Sequence, residues 1–146
     1  MKVLVINGPN LNMLGVREKG IYGTKDFQDV CDYIKEEGRK RNIDIKLFQS
    51  NIEGEIINEI HKAYYEKYDG IIINPGAYTH YSYAIMDAIK AVNIKTVEVH
   101  LSNIHAREEF RHKSVIAPAC IGQICGFKEL GYAMAMEAIM QCTMDN

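Results

Sequence analysis

Three clusters of polar residues each follow directly on a short apolar run, and together they hold the groups that proton-transfer chemistry needs. After residues 3–6 (VLVI) comes NGPNLNMLGVREKGIYG, after 70–73 (GIII) comes NPGAYTH, and after 95–99 (KTVEV) comes HLSNIHAREEFRH. The first cluster carries Arg17 and, five residues on, Tyr22. A free phenol has a pKa of about 10, so it serves as a base near neutral pH only when a cation stabilises its phenolate. Each unit of lowering takes about 1.4 kcal/mol of preferential interaction, which a partly desolvated guanidinium such as that of Arg17 can supply. His100, directly after a buried run, is a candidate general acid, and Asn10 a candidate holder of a developing oxyanion. Taken singly, these residues have ordinary explanations. A loop tyrosine packs on the surface, a strand-end histidine makes a structural hydrogen bond, and Arg17 is a solvated charge. Asn7 and Gly8-Pro9 make a turn, Gly76 serves backbone geometry, Ser102 or Asn103 caps a helix over 106–112, Asp87 faces solvent, and Arg111 pairs with Glu108. Only their convergence on one place argues for a site.

The elements that would bring them together are legible in the apolar pattern. Residues 3–6 read as a buried parallel strand. Thr24 can cap a helix running to about Arg41, with Phe27, Val30, Cys31 and Ile34 on its buried face. Residues 43–49 (IDIKLFQ) mostly alternate, as an edge strand would, and Ser50-Asn51-Ile52-Glu53 has the form of a capping box opening a second helix that buries Ile56, Ile57, Ile60 and Ala63. A third strand at 70–73, a helix at 84–92, a fourth strand at 95–99, a fifth at 117–125 and a last helix at 130–142 complete the chain. Strands separated by crossovers give a parallel sheet covered on both faces, a doubly wound three-layer α/β arrangement. With five strands the flavodoxin-like order is 2-1-3-4-5, which puts strands 1 and 3 side by side where the winding reverses; ligands bind beyond the carboxyl ends there.

Bulk properties narrow the chemistry further. The 146 residues match one domain, with 47% hydrophobic and 25% charged residues and a formal net charge of -2, which gives no general attraction to nucleic acid or anionic membrane. No signal-peptide core or apolar run of bilayer length is present, so a cytoplasmic protein is expected. The four cysteines (Cys31, Cys120, Cys125, Cys142) form no C-x-x-C pair and read as reduced core thiols. A metal-binding receiver domain wants acidic residues at the ends of strands 1 and 3, where this chain has Asn7 and Asn74. A flavodoxin wants a hydroxyl-rich phosphate loop, yet the first loop has no serine or threonine before Thr24. P-loop and G-x-G-x-x-G fingerprints are absent, and His100, His105 and His112 fall into no recognised metal-ligand pattern. What remains is a cofactor-free acid-base enzyme acting on a polar small molecule, with a noncatalytic flavodoxin-like ligand- or flavin-binding module, or a structural subunit with a vestigial pocket, as the alternatives.

NGPNLNMLG with Arg17 and Tyr22-Gly23, NPGAYTH with Ser82 and Asp87, EVHLSNIHAREEFRHKS and GQICGF, in this order and spacing, resemble the type II 3-dehydroquinate dehydratases over the whole chain. The resemblance implies a flavodoxin-like fold over a single catalytic domain, 1–146, with a lid loop at about 8–23. It implies elimination of water from 3-dehydroquinate to 3-dehydroshikimate in the shikimate pathway, with neither metal nor cofactor, by a dodecamer built as a tetramer of trimers. By the same resemblance Tyr22 is the base and Arg17 keeps it ionised, Asn10 stabilises the enolate, and His100 protonates the departing hydroxyl. Leu101 and Ser102 receive the substrate carboxylate and Asn74 positions it; His80 and Arg111 bind ring hydroxyls; Asp87 acts across a subunit contact; Glu98 orients the histidine or arginine network. One departure is visible: Lys19 stands where the family frequently has proline, which predicts a mobile lid.

Overall fold

The computed structural model describes residues 1–16 and 25–144. Five strands, β1 (Lys2–Asn7), β2 (Asp44–Gln49), β3 (Gly70–Asn74), β4 (Lys95–His100) and β5 (Gly122–Cys125), alternate with four helices, α1 (Phe27–Lys40), α2 (Glu53–Tyr65), α3 (Tyr83–Val92) and α4 (Leu130–Met144). The sheet is parallel throughout, in the order β2-β1-β3-β4-β5. This is the flavodoxin-like arrangement expected from the sequence, with the half-buried β2 at one edge.

Side chains alternate across a strand, and here both faces are apolar. Val3, Val5, Ile72, Val97 and Val99 point to one side, where Ile34 of α1 and Tyr132, Met136 and Ile139 of α4 cover them. Leu4, Ile6, Ile71 and Ile73 point to the other, against Ile56 and Ile60 of α2 and Ile85 and Ile89 of α3. The register sets Asn7 level with Asn74, so two amides end neighbouring strands at the point where the winding reverses.

Four local expectations need correction. Helix α1 is capped by Asp26, whose side chain accepts from the Asp29 N–H while Asp29 accepts from the Asp26 N–H; Thr24, the expected cap, lies outside the described residues. The capping box at Ser50 does not form. Ile52 is still extended, so α2 starts at Glu53 and the Ser50 hydroxyl instead accepts from the Ile52 N–H and donates to Glu55. The fifth strand is confined to Gly122–Cys125, because Pro118, which has no N–H to offer a ladder, sits in a 3₁₀ turn at Ala117–Ala119. The expected helix over 106–112 is two 3₁₀ turns, Ile104–Ala106 and Glu109–Arg111, separated by an extended Arg107; Asn103 caps the first by accepting from the His105 N–H.

Candidate active site

Beyond the carboxyl ends of β1, β3 and β4 the loops enclose a cavity of about 170 Å³. The loops can meet because two glycines allow it. A Cβ on Gly8 would stand 2.7 Å from the carbonyl carbon and oxygen of Pro75, and one on Gly76 would stand 3.0 Å from the Pro9 oxygen. Gly76 also has φ +57, a conformation that costs a side chain. With the Gly8 N–H donating to the Asn74 carbonyl at 2.7 Å, the first and third loops are interlocked. Asn10 follows in the left-handed region, φ 70, and donates its backbone N–H at 3.0 Å to the Asn51 side chain beyond β2.

The first loop contributes Asn10 to the cavity wall, the third Asn74 and His80, and the segment after β4 His100, Leu101, Ser102 and Arg111. These positions, spread over 102 residues of sequence from Asn10 to Arg111, are brought together as expected. Asp87 is not among the lining residues; it is exposed on α3. Arg17, Tyr22 and the lid with its Lys19 departure lie outside the described residues. Among the described residues lining the cavity none is acidic, while Arg107 and Arg111 both reach it, so an anionic ligand meets attraction there.

Behind His100 stands Glu98, two residues back on the same face of β4 and wholly buried. The His100 Nε2–H donates to its Oε1 at 2.6 Å, the Gln123 amide donates to Oε1 at 3.2 Å, the Ser114 hydroxyl lies 2.9 Å from Oε2, and Thr79 donates its hydroxyl as well. Burial works to raise this carboxyl, yet the hydrogen bonds from His100, Thr79 and Ser114 and the His100 charge outweigh it and hold the group below the usual carboxylate range. Glu98 is thus an anion, and an anion fixes its neighbour: with Nε2–H committed to Glu98, the nitrogen His100 has left for a ligand is Nδ1. Likewise the His80 Nδ1 faces the Lys113 carbonyl at 2.8 Å, and a carbonyl only accepts, so its Nε2 is the nitrogen left over. Arg111 donates to Glu108 at 2.7 Å and lies 4.7 Å from the centroid of the Phe110 ring, which meets His80 edge-on. The expected pairing of Arg111 with Glu108 therefore coexists with its place in the cavity wall.

Several participants have no signal in residue spacing. Thr79, Ser114 and Gln123 come from three separate segments and meet only at the Glu98 carboxylate. Tyr132 comes from the core face of α4, where its helical spacing marks it as a packing residue. Arg107 also lines the cavity. Among the described residues no three histidine, cysteine, aspartate or glutamate side chains converge in a way that could hold a metal ion.

A parallel sheet in this order, with a cavity of hydrogen-bond donors and a buried Glu–His pair at its switch point, defines a flavodoxin-like α/β domain equipped for acid-base chemistry. Residues 1–140 match the class II dehydroquinase family. The 3-dehydroquinate dehydratase of Clostridium beijerinckii is 75% identical over 139 residues, 95% of each chain, and that of Caldicellulosiruptor bescii is 66% identical over 140 residues, 96% of this chain and 97% of its own. The type II dehydroquinase of Butyrivibrio crossotus, known as a crystal structure, superposes with a TM-score of 0.94 at 55% identity, covering 96% of this chain and 97% of that one. The corresponding enzyme of Propionibacterium acnes gives 0.89 at 40%, covering 99% and 97%. The chain belongs to the type II dehydroquinases, which are hydro-lyases.

Proposed function

We propose that the chain removes water from 3-dehydroquinate to give 3-dehydroshikimate, in the shikimate pathway that leads to chorismate and the aromatic amino acids, through an enolate and without a cofactor. The observation that carries the reading is the buried Glu98–His100 pair facing a cavity walled by Asn10, Asn74, Ser102 and Arg111, with no acidic residue among the described residues that line it.

In this reading the Tyr22 phenolate, kept ionised by Arg17, takes the proton on the carbon next to the ketone, and the electron pair moves onto the ketone oxygen. Asn10 stabilises that enolate oxygen. Collapse of the enolate expels the tertiary hydroxyl on the carbon that bears the carboxylate, and His100 Nδ1–H delivers the proton that turns it into water. The imidazolium is stabilised through Nε2–H by the Glu98 anion, which therefore acts at the step where charge changes. Leu101 and Ser102 hold the substrate carboxylate, Asn74 positions it, and His80 and Arg111 bind the ring hydroxyls.

The same reading takes residues 1–146 as one catalytic domain with its lid at about 8–23, working in the cytoplasm as a dodecamer, a tetramer of trimers. Asp87 supports the assembly part: it is exposed one turn after Tyr83, itself 59% exposed, a combination suited to a face that a second copy covers. Light scattering tests this directly, since twelve chains of 16.6 kDa give about 199 kDa. Turnover is followed as a rise in near-ultraviolet enone absorbance, at a rate that chelator and borohydride leave unchanged. Tyr22→Phe abolishes it while substrate binding stays within about threefold; a variant that keeps most of its rate removes Tyr22 as the base. A flavin-binding module would purify yellow, and a structural subunit with a vestigial pocket would give no turnover.

A further inference from the structure

The two asparagines that end β1 and β3 are joined through a phenol that comes from the opposite end of the chain. Asn7 and Asn74 stand level in the sheet, and by strand alternation both share the face occupied by Val5 and Ile72, which α4 covers. Tyr132 of α4 reaches them, with 1% of its surface exposed. Its hydroxyl donates to the Asn7 Oδ1 and accepts from the Asn74 Nδ2 at 3.3 Å.

The direction of each bond follows from what each atom can do. The Gly76 N–H lies 3.2 Å from one end of the Asn74 amide, and a backbone N–H only donates, so that end is the oxygen. The other end is then the NH₂, and a phenol facing an NH₂ must accept from it. The phenol's own hydrogen therefore needs another acceptor, which Asn7 Oδ1 provides. The Gly76 N–H thus sets which end of the Asn74 amide is the oxygen, and the phenol, its own hydrogen given to Asn7 Oδ1, holds the NH₂ end, leaving one of the two N–H bonds for the cavity that Asn74 lines. The arrangement is not what packing alone would choose: the Asn7 Nδ2 is buried without a partner among the described residues, a cost that a leucine at either strand end would avoid.

We propose that Tyr132 is a positioning residue for Asn74, holding the amide so that the cavity receives an N–H and not a carbonyl. An acceptor on the ligand, such as a carboxylate oxygen, meets a fixed donor; without the phenol the amide is held by the Gly76 N–H alone and turns more freely. The inference rests on the reading of Asn74 as a substrate-binding residue.

The test is a double-mutant cycle on the purified full-length enzyme with dehydroquinate as substrate. Asn74→Ala raises KM if that reading is right, which isolates it from the inference about Tyr132. Tyr132→Phe, alone, raises KM about threefold to tenfold with a smaller change in kcat, the size of one hydrogen bond to the ligand. In the Asn74→Ala background the same change alters KM less than twofold, because there is no amide left to orient; a role confined to packing would cost the same in both backgrounds. If Tyr132→Phe proves too unstable to assay, Asn7→Ala serves instead: it frees the phenol hydrogen to turn toward Asn74 and shifts KM in the same direction, again only when Asn74 is present. Equal effects in the two backgrounds, or a KM within twofold of the wild type for the folded variant, overturn the proposal.

Discussion

Glu98→Gln tests the acid half of the mechanism without touching the cavity wall, because Glu98 has no exposed surface and does not line the cavity. The amide is isosteric with the carboxylate, and the hydrogen bonds decide how it sits. His100, Thr79 and Gln123 all direct hydrogens at Oε1, whereas among the described residues Oε2 receives only Ser114. The glutamine oxygen therefore takes the Oε1 position and its NH₂ the Oε2 position. Ser114 cannot readily accept from that NH₂, since its oxygen already receives the N–H groups of Ile116 and Ala117, but its hydrogen can swing to Thr79, 2.9 Å away. The variant folds with one poorly satisfied NH₂, and what it loses is charge. A hydrogen bond to a charged group contributes roughly 1.5–3 kcal/mol and a neutral one roughly 0.5–1.5, so stabilisation of the imidazolium falls by about 1–1.5 kcal/mol. At about 1.4 kcal/mol per decade this predicts a kcat lower by roughly tenfold with KM within about threefold. Steady-state kinetics read the split, and the melting profile shows that the variant is folded. A folded variant with unchanged kcat would refute the argument that the carboxylate works through His100. A raised KM at constant kcat would instead make Glu98 part of substrate binding.

The same carboxylate predicts how stability responds to acid. Its folded-state pKa is depressed, so its contribution is complete above the ordinary carboxylate range and is lost as pH falls through the lower folded value. Urea unfolding of wild type and Glu98→Gln should therefore diverge at pH 7 and converge on acidification below about pH 4; a gap that widens in acid contradicts the assignment. Gly8→Ala places a methyl 2.7 Å from the Pro75 carbonyl and must push the first and third loops apart. It should cost about 1–3 kcal/mol in denaturant unfolding and lower kcat/KM by spoiling the approach of Asn10 to Asn74; wild-type behaviour would show that the interlock is dispensable. Burial pushes the Cys120 thiol up to about 12 and the Cys125 thiol to about 11, with the Glu98 charge adding to both. Native protein at pH 8 should hold both thiols against iodoacetamide far longer than unfolded protein does, as peptide mapping would reveal, and equal alkylation rates would count against their burial.

Much of the site was legible because it sits where apolar runs stop. Asn7, Asn74 and His100 are the last residues of β1, β3 and β4, and the switch-point rule brings those ends together whatever the details of packing. Glu98 came from the family resemblance and not from the pattern of residues, although strand geometry accounts for its place behind His100, since residues two apart share a face. Helix starts were less legible. Ser50 and Glu53 have capping-box spacing, yet Ile52 remains extended, and the cap of α1 is Asp26, paired with Asp29.

The sequence by itself determined the alternation of strands and helices, hence the doubly wound sheet, and the identity of the residues at its carboxyl edge, because both follow from local periodicity and chain order. Only the tertiary structure decided which donors reach a given acceptor. Thr79, Ser114 and Gln123 share no sequence period, and Tyr132 lies 125 residues from Asn7, yet each pair of ends is one hydrogen bond apart. The physical reason is that a buried polar group must find its partner in space, and the sheet, by setting Asn7 beside Asn74 and His100 over Glu98, presents atoms whose unmet valences are settled by whatever helix or loop the packing lays across them.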